Sequence, residues 1–304
     1  MKKDEGRVSK IAWRPASTVV LAREEKGELQ VYLLQRSGKS GFFPGSYVFP
    51  GGAVDTGDGM PDRWEDYVDL TALEIWRRLG NGISFEAIMA YCATAIRETF
   101  EEAGVFLGHR KMGGRDTAME NLWEKRRSEE LTKGWLWKAV MSGGWILGFS
   151  LLARWAHWLT PELMTHHFDT RFFVALMPGD QTCIPDSRET TKGIWVSPKK
   201  ALGMNLETEI PLSPPTVVTL HELMAYESLE ELKRELNARP WGEPRFPRLV
   251  RLQDGALILQ PWDPQRHADP MEIDPKELEK AVLPVGEPFS RLWLKDGIWK
   301  PVGY

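Results

Sequence analysis

Residues 97–105, with the sequence RETFEEAGV, place three acidic side chains within a single helical turn. On a helix, Glu98 and Glu102 are i,i+4 neighbours and Glu98 and Glu101 are i,i+3 neighbours, so the three carboxylates repel one another unless a cation lies between them. Their hard oxygen atoms suit Mg²⁺ or Mn²⁺, which bind carboxylates, water and phosphate oxygens. A solvated acidic helix face is the alternative, and for these residues alone it is the more common arrangement.

The helix that carries these acids is well defined by the sequence. Ser84 is typical of an N-cap, the apolar pattern predicts a helix from Phe85 to about Ala103, and Gly104 suits its C-terminal stop. Apolar residues recur on one side of this helix at spacings of three and four, which predicts a buried face. That face consists of Ile88, Cys92, Ala95, Ile96, Thr99 and Ala103.

Strand and helix patterns alternate along the rest of the chain, which indicates an α/β fold. β-Branched and aromatic runs at 17–22 and 30–34 predict a hairpin. A third extended segment, 46–49, ends at Pro50-Gly51-Gly52, where the glycines permit a sharp bend. Helical patterns are predicted at 64–79 and across most of 108–152. Buried strands are predicted at 171–176 and 193–196, and further helices are predicted from Pro198, after Pro214-Pro215 and from Leu229.

Composition excludes several classes of protein. The 304 residues carry a formal charge of −4, whereas a nucleic-acid or anionic-membrane binder needs a basic excess. Two cysteines give no disulfide framework. The longest apolar stretch, 145–158, is interrupted by polar residues, so no membrane span is expected. The N-terminus is not a secretory signal and the last residues are not a peroxisomal address of the S-K-L type, so a cytoplasmic protein is predicted.

The acidic segment resembles part of the signature of the Nudix hydrolases, G-x5-E-x7-R-E-U-x-E-E-x-G-U, where U is aliphatic. Residues 97–105 match its second half, and Gly52 with Asp58 six residues later matches its first half. Between Asp58 and Arg97 lie 38 residues where the family pattern has seven, so the signature is split by an insertion. Asp58 replaces a glutamate of the family pattern, and Thr99 replaces an aliphatic residue. A hydroxyl bonded to a carbonyl one turn earlier would let Thr99 be buried.

Other segments are similar to the peroxisomal coenzyme A diphosphatase subgroup of this family and its bacterial relatives. They are FPGSYVFPGG at 43–52, WLTP at 158–161 and FDTRFFVA at 168–175. The resemblance spans roughly residues 13–223. It implies a Nudix-type α/β/α sandwich with a mixed, curved sheet, formed by a domain over 10–215 with helical insertions near 59–88 and 108–155. Residues 216–304 would pack on that core as an extension.

The resemblance also implies a metal-dependent reaction. Glu98, Glu101 and Glu102 would bind Mg²⁺ or Mn²⁺, with the backbone carbonyl of Gly52 as an additional ligand. Arg97 would take part in catalysis by orienting these carboxylates, as its permanent charge and its i,i+4 spacing from Glu101 suggest. Glu98 and Glu101 are therefore predicted to be catalytic as well as metal-binding.

The general base is a further prediction. In the family it is either a glutamate of the signature or one in a later loop, and Glu189 is the candidate in this chain. Asp186 is the alternative. A base needs hydrogen-bond reach to the attacking water, which a sequence does not show.

The substrate-binding residues are predicted as Arg36, Lys39, Gly51 and Asp58. Arg36 and Lys39 could meet a phosphate, although surface charge is the simpler interpretation of both. A structural role is also the simpler interpretation of four tryptophans, since an indole in a helical insertion is more often part of a core than a stacking surface for adenine. Trp135, Trp137, Trp155 and Trp158 are the four concerned.

The implied substrate is a small nucleoside diphosphate derivative, with coenzyme A or an acyl derivative as the first choice. ADP-ribose, a dinucleotide or a nucleoside triphosphate is the enzymatic alternative, because the separate signature of other coenzyme A Nudix enzymes is present only in its FPGG end. A catalytically silent ligand sensor is the other class, and the intact acidic set argues against it. No nucleic-acid or membrane partner is expected, and a homodimer is left open.

Overall fold

The computed structural model describes residues 12–59, 64–80, 82–111, 117–128, 131–253, 255–268 and 280–303. The start of the chain and Tyr304, from which the absence of a targeting signal was predicted, lie outside the described residues, as do parts of both predicted insertions. Across the described ranges, no helix is both long and apolar enough to cross a membrane.

Thirteen strands and seven α-helices make up the described secondary structure. The strands are β1 Arg14–Glu25, β2 Glu28–Arg36, β3 Tyr47–Val48, β4 Gly51–Ala53, β5 Gly108–Arg110, β6 Trp145–Leu147, β7 Ala153–Leu159, β8 Phe168–Leu176, β9 Thr190–Val196, β10 Arg248–Leu252, β11 Gly255–Leu259, β12 Arg291–Lys295 and β13 Ile298–Val302. The helices are α1 Ala72–Leu79, α2 Phe85–Ala103, α3 Thr117–Arg127, α4 Trp135–Gly143, α5 Pro198–Leu206, α6 Pro214–Leu223 and α7 Leu229–Ala238.

A seven-stranded mixed sheet forms the centre of the molecule. Its main order is β3-β2-β1-β8-β7, with β4 also paired to β1 and β9 to β2. The β1–β8 pair is parallel, and the other pairs are antiparallel. The predicted hairpin is therefore β1–β2, and the predicted mixed sheet is confirmed.

Helices cover both faces of this sheet because side chains alternate along β1. Val19 and Leu21 join an apolar cluster that contains the buried face of α2. Val20 and Ala22 join a second cluster, on the opposite face, that contains apolar residues of α5, α6 and α7. The layers are therefore helix, sheet and helix, as predicted.

Helix α2 has the ends and the buried face that were predicted. The side chain of Ser84 accepts a hydrogen bond from the backbone N–H of Ala87, and Gly104 has the left-handed φ of 72° that favours glycine. All six residues of the predicted apolar face are buried. The hydroxyl of Thr99 donates to the carbonyl of Ala95 at 2.7 Å, which satisfies this buried polar group.

The predicted insertions and the glycine bend require corrections. Residues 64–79 are not one helix but a 3₁₀ turn at Glu65–Tyr67 and then α1, because the side chain of Thr71 caps a new helix there. The second predicted insertion contains β5 and β6 as well as α3 and α4, and it ends at β7. Neither Gly51 nor Gly52 has a positive φ, and with Ala53 they form a strand instead of a bend.

The segment after residue 216 packs on this core. Strands β10–β13 form an antiparallel sheet, which contacts α5 through β13. Leu232, Ile258 and Trp299 belong to the same apolar cluster as β2 and β8. Trp241 reaches the other cluster, and its indole N–H donates to the carbonyl of Leu79 at 2.8 Å. The domain boundary near residue 215 stays a prediction.

Candidate active site

The two halves of the split signature meet directly in space. Strand β4 pairs with β1 beside α2, with Gly52 opposite Ser17. The backbone N–H of Gly51 donates to Oε2 of Glu102 at 2.8 Å. A Cβ atom added at Gly52 would lie 2.6 Å from Cδ of Glu98, which is closer than real Cβ contacts. The insertion between the halves therefore leaves the glycine segment in contact with the acidic turn.

Arg97 connects the acids of α2 to this glycine segment. Its Nη1 donates to Oε1 of Glu98 at 2.7 Å and to Oε2 of Glu101 at 2.8 Å. Its Nη2 donates to the carbonyl of Ala53 at 2.9 Å and to Oδ2 of Asp58 at 2.8 Å. Burial would lower the pKa of Arg97, but Glu98, Asp58 and Glu101 raise it above its ordinary value. Arg97 is thus a permanently charged group that is bonded to three carboxylates, two on α2 and one after the glycine segment.

The acidic cluster carries more negative charge than Arg97 neutralises. Burial raises the pKa of Glu98 to about 7, with the charges of Glu101 and Glu189 adding to this effect and Arg97 opposing it. Burial and the charge of Glu98 raise the pKa of Glu102 well above its ordinary value. Burial also raises the pKa of Glu101. Such crowding of carboxylates favours a bound cation.

The cluster lies at a cleft of about 430 Å³. Its charged lining residues are Arg14, Arg36, Arg97, Glu98, Glu101 and Glu189, and both glycines line it as well, whereas Glu102 lies just behind the lining. The rest of the lining is mainly apolar and comes from several parts of the chain. It includes Phe42, Phe43, Phe49, Trp158, Pro161, Met164, Phe168, Phe172, Pro214, Pro215, Pro247 and Ile258.

Comparison with known proteins decides the family. The family model described as NUDT19 Nudix domain matches residues 13–223 of this chain. The chain belongs to the Nudix hydrolase family. A solved structure, a NUDIX hydrolase from Alicyclobacillus acidocaldarius, covers 76% of this chain and is itself covered completely, with 22% identity and a TM-score of 0.54. This match confirms the predicted Nudix fold.

Two curated relatives are similar over most of their length. Acyl-coenzyme A diphosphatase NUDT19 of Xenopus laevis is 26% identical over 89% of this chain and 82% of that protein. The human protein of the same name is 28% identical over 83% of this chain and 80% of its own length. The resemblance to the coenzyme A diphosphatase subgroup is thereby confirmed.

The carboxylates of the acidic turn, Glu98, Glu101 and Glu102, are not equally free to bind a divalent cation. Among the described residues, no three acidic, imidazole or thiol side chains are arranged so that they could hold a metal ion by themselves. Both oxygens of Glu101 are engaged, Oε2 by Arg97 and Oε1 by the indole N–H of Trp135. Glu98 and Glu102 each have one oxygen engaged, by Arg97 and Gly51 respectively. Glu98 and Glu102 therefore fit the cation better than Glu101 does.

Asp58 does not lie in the cleft, and this corrects the prediction that it binds substrate. Its side chain is only 3% exposed. The carboxylate accepts hydrogen bonds from Arg97, from the hydroxyl of Thr94 at 2.9 Å and from the backbone N–H of Asp55 at 2.9 Å. In this chain Asp58 holds Arg97 in place and does not contact a ligand.

The candidate bases differ in their surroundings. Glu189 lines the cleft, and its charge acts on both Glu98 and Glu102. The carboxylate of Asp186 instead accepts from the backbone N–H groups of Glu189 at 3.0 Å and Thr190 at 2.8 Å, and from the hydroxyl of Thr190 at 2.6 Å. Asp186 therefore shapes the loop, and the geometry favours Glu189.

The two predicted phosphate contacts also differ. Arg36 lines the cleft, and its Nε donates to the hydroxyl of Ser40 at 2.9 Å. Its charge lowers the pKa of Glu102 against the larger effects of burial and of Glu98. Lys39 is exposed and does not belong to the cleft lining. The structure thus supports Arg36 and gives no support to Lys39.

Two residues from the insertion complete the site, and the sequence pattern did not assign either role. Trp135 on α4 donates to Glu101, whereas adenine stacking was the role considered for it. Arg126 on α3 donates to the carbonyls of Glu101 at 3.0 Å and Ile184 at 2.6 Å. Arg126 thereby joins the end of α2 to the chain that leads to Glu189. The sequence offered no signal for these roles beyond the presence of a tryptophan and an arginine in the insertion.

The other tryptophans divide between the core and the cleft. Trp137 packs edge-on against Trp64 and Tyr67. Trp155 is buried under the guanidinium of Arg239, whose Cζ lies 3.9 Å from its ring centroid. Trp158 lies on β7 and lines the cleft. Of these three, only Trp158 is placed to meet a ligand.

Proposed function

We propose that this chain hydrolyses the diphosphate bond of coenzyme A or acyl-coenzyme A with Mg²⁺ or Mn²⁺. The observation that carries the proposal is the contact of Gly51 and Gly52 with Glu102 and Glu98 beside the cleft. The names of the relatives, acyl-coenzyme A diphosphatase, support the choice of substrate. The apolar lining of the cleft also suits an acyl group better than it suits the second ribose of ADP-ribose.

The proposed mechanism assigns one task to each polar group. A divalent cation, when bound, neutralises charge on the diphosphate oxygens and activates water. Glu98 and Glu102 would hold it, with the carbonyl of Gly52. Arg97 keeps Glu98 and Glu101 oriented through its two hydrogen bonds.

Proton transfer and phosphate binding involve the remaining residues. A carboxylate oxygen of Glu189 would take the proton from the attacking water, since Glu189 lies in the cleft and its charge reaches Glu98. The guanidinium of Arg36 would bind phosphate oxygens at the same part of the cleft. The products would be adenosine 3′,5′-bisphosphate and a 4′-phosphopantetheine derivative.

A substrate panel tests this function. The purified protein is incubated with Mg²⁺ or Mn²⁺ and coenzyme A, acyl-coenzyme A, ADP-ribose, NADH or nucleoside triphosphates, and the products are separated by chromatography. We expect the coenzyme A compounds to be cleaved, and EDTA to abolish the reaction. Fast cleavage of ADP-ribose with inert coenzyme A would establish the alternative Nudix pyrophosphatase. No turnover of any compound would favour the ligand sensor. A cytoplasmic location and a homodimer stay predictions.

Gly52→Ala is expected to reduce the hydrolysis rate while the protein stays folded. The new methyl group would meet the carboxylate of Glu98, at 2.6 Å from Cδ, so this carboxylate or β4 must shift. A displacement of about 1 Å in a catalytic group costs about 100-fold in rate. Steady-state kinetics and a thermal melt measure the two effects.

Gly203→Ala is the matched control, because nothing lies within 4 Å of a Cβ atom at this position on α5. A Gly52→Ala enzyme with the wild-type rate would show that the close approach of the glycine to Glu98 has no role in catalysis.

A further inference from the structure

Two of the parts of the protein that line the cleft are distant from each other in sequence. Helix α2, which carries the acidic turn, packs against β1 and β4. The C-terminal segment contributes Pro247, Ile258 and Gln260 to the lining, and its sheet contacts α5 through β13. A substrate whose diphosphate lies at the acids would therefore extend along residues that belong to the C-terminal segment.

Gln260 is the polar member of this C-terminal contribution. It directly follows β11, and the residue is 1% exposed. Its side-chain oxygen accepts no hydrogen bond from any residue that the structure describes. Buried polar atoms are nearly always paired in folded proteins, so this amide oxygen, in a residue that lines the cleft, is short of a hydrogen-bond donor.

The surroundings of Gln260 fix its position. Its backbone N–H donates to the carbonyl of Ser290 at 2.8 Å, and its own carbonyl accepts from the N–H of Asp263 at 3.0 Å. The carboxylate of Asp263 in turn accepts from the hydroxyl of Ser290 at 2.6 Å and from Nε of Arg291 at 2.7 Å, and all three side chains are buried. The backbone at Gln260 is thus anchored beside a buried ion pair.

A second buried polar atom without a partner belongs to the same cleft. Trp158, also a lining residue, is 5% exposed, and its indole N–H has no acceptor among the described residues. A polar group of a ligand could satisfy either atom, whereas an apolar ligand would leave both unpaired at a cost in binding.

We propose that the side-chain oxygen of Gln260 accepts a hydrogen bond from an N–H group of the bound substrate. This inference rests on the proposed function, and it assigns a substrate-recognition role to the C-terminal segment. Coenzyme A carries N–H donors in two places, in the amides of its pantetheine arm and in the amino group of its adenine. The two halves of the molecule can be tested separately, since they are the expected products.

The first test is Gln260→Met, which keeps the length of the side chain and removes its polar atoms. We expect KM for coenzyme A to rise about tenfold, since a ligand donor loses its partner, while kcat changes little. The melting temperature should stay constant or rise, because the variant removes an unpaired buried polar group. Gln30→Met is the matched control: Gln30 accepts from Arg23 on the β1–β2 hairpin, does not line the cleft, and should leave KM unchanged.

The second test separates the halves of the substrate. Both enzymes are titrated by calorimetry with 4′-phosphopantetheine and with adenosine 3′,5′-bisphosphate. Weaker binding of one compound to Gln260→Met supports the proposal and identifies the half that donates. Equal binding of both compounds with an unchanged KM overturns it, and so does a lower melting temperature with an unchanged KM.

The titrations also distinguish failure of the proposed function from failure of this inference. If wild-type protein binds a half-product but does not cleave coenzyme A, the proposed function is wrong, and the comparison of wild type with Gln260→Met still tests the role of Gln260. If wild-type protein binds neither compound, the inference about Gln260 fails as well.

Discussion

Glu102→Gln is expected to lower the rate of coenzyme A hydrolysis by about 100- to 1,000-fold, the size of effect seen when one preorganised charge-stabilising group is removed from an active site. The physical reason is the loss of a negative ligand next to Glu98, where a cation must be held. The stability of the fold should not decrease. Oε2 of Glu102 accepts from the N–H of Gly51, and the amide oxygen of glutamine can accept the same bond.

The same substitution should keep or raise the melting temperature. Burial and the charge of Glu98 raise the pKa of Glu102, which means that its ionised form is disfavoured in the folded protein. Replacing a carboxylate that the fold disfavours by a neutral group removes this cost. Glu101→Gln should also lower the rate, since it changes a group that Arg97 and Trp135 hold at the cleft.

Glu86→Gln provides the matched control, because Glu86 is exposed in the first turn of the same helix. It should leave the rate unchanged and lower the melting temperature only slightly, because a carboxylate in the first turn of a helix interacts favourably with the helix dipole. Measuring the rate against Mg²⁺ or Mn²⁺ concentration adds a second comparison, in which Glu102→Gln should need more metal than wild type. Wild-type rates in both Glu101→Gln and Glu102→Gln would refute the assignment of the metal site.

The parts of the fold that could be predicted from sequence are those with local causes. The ends of α2 follow from Ser84 and Gly104, and its buried face follows from the period of its apolar residues. The hydrogen bond of Thr99 to Ala95 spans one helical turn, so it was predictable too. The approach of Gly52 to Glu98 was expected only through the resemblance to the Nudix family.

The parts that could not be predicted depend on contacts between distant segments. Asp58 matches the position of a family residue, but its burial under Arg97 depends on how the insertion folds. The bond from Trp135 to Glu101 has the same origin, since a tryptophan in an insertion gives no sign of what its N–H will meet. Gln260 has no local pattern at all, and only the placement of β11 brings it to the cleft.

Asp58→Ala is expected to reduce the free energy of unfolding by about 3–5 kcal/mol, the usual cost of removing one partner from a buried ion pair. The side chains of Arg97 and Asp58 are 8% and 3% exposed, so water cannot replace the lost carboxylate. The hydroxyl of Thr94 and the N–H of Asp55 would lose their acceptor as well. Denaturant unfolding measures the effect, and Asp66→Ala, which removes an exposed carboxylate, should stay within about 0.5 kcal/mol of wild type.

The two variants separate the roles of the acids that the family signature groups together. Glu102→Gln should reduce the rate without reducing stability, because the negative charge of Glu102 is needed only to bind the cation. Asp58→Ala should lose both, because Arg97 then lacks the anchor that keeps it against Glu98 and Glu101. Equal unfolding of Asp58→Ala and wild type would mean that Glu98 and Glu101 suffice to hold the arginine. The rate of that variant would then show whether Asp58 has a direct role in the reaction after all.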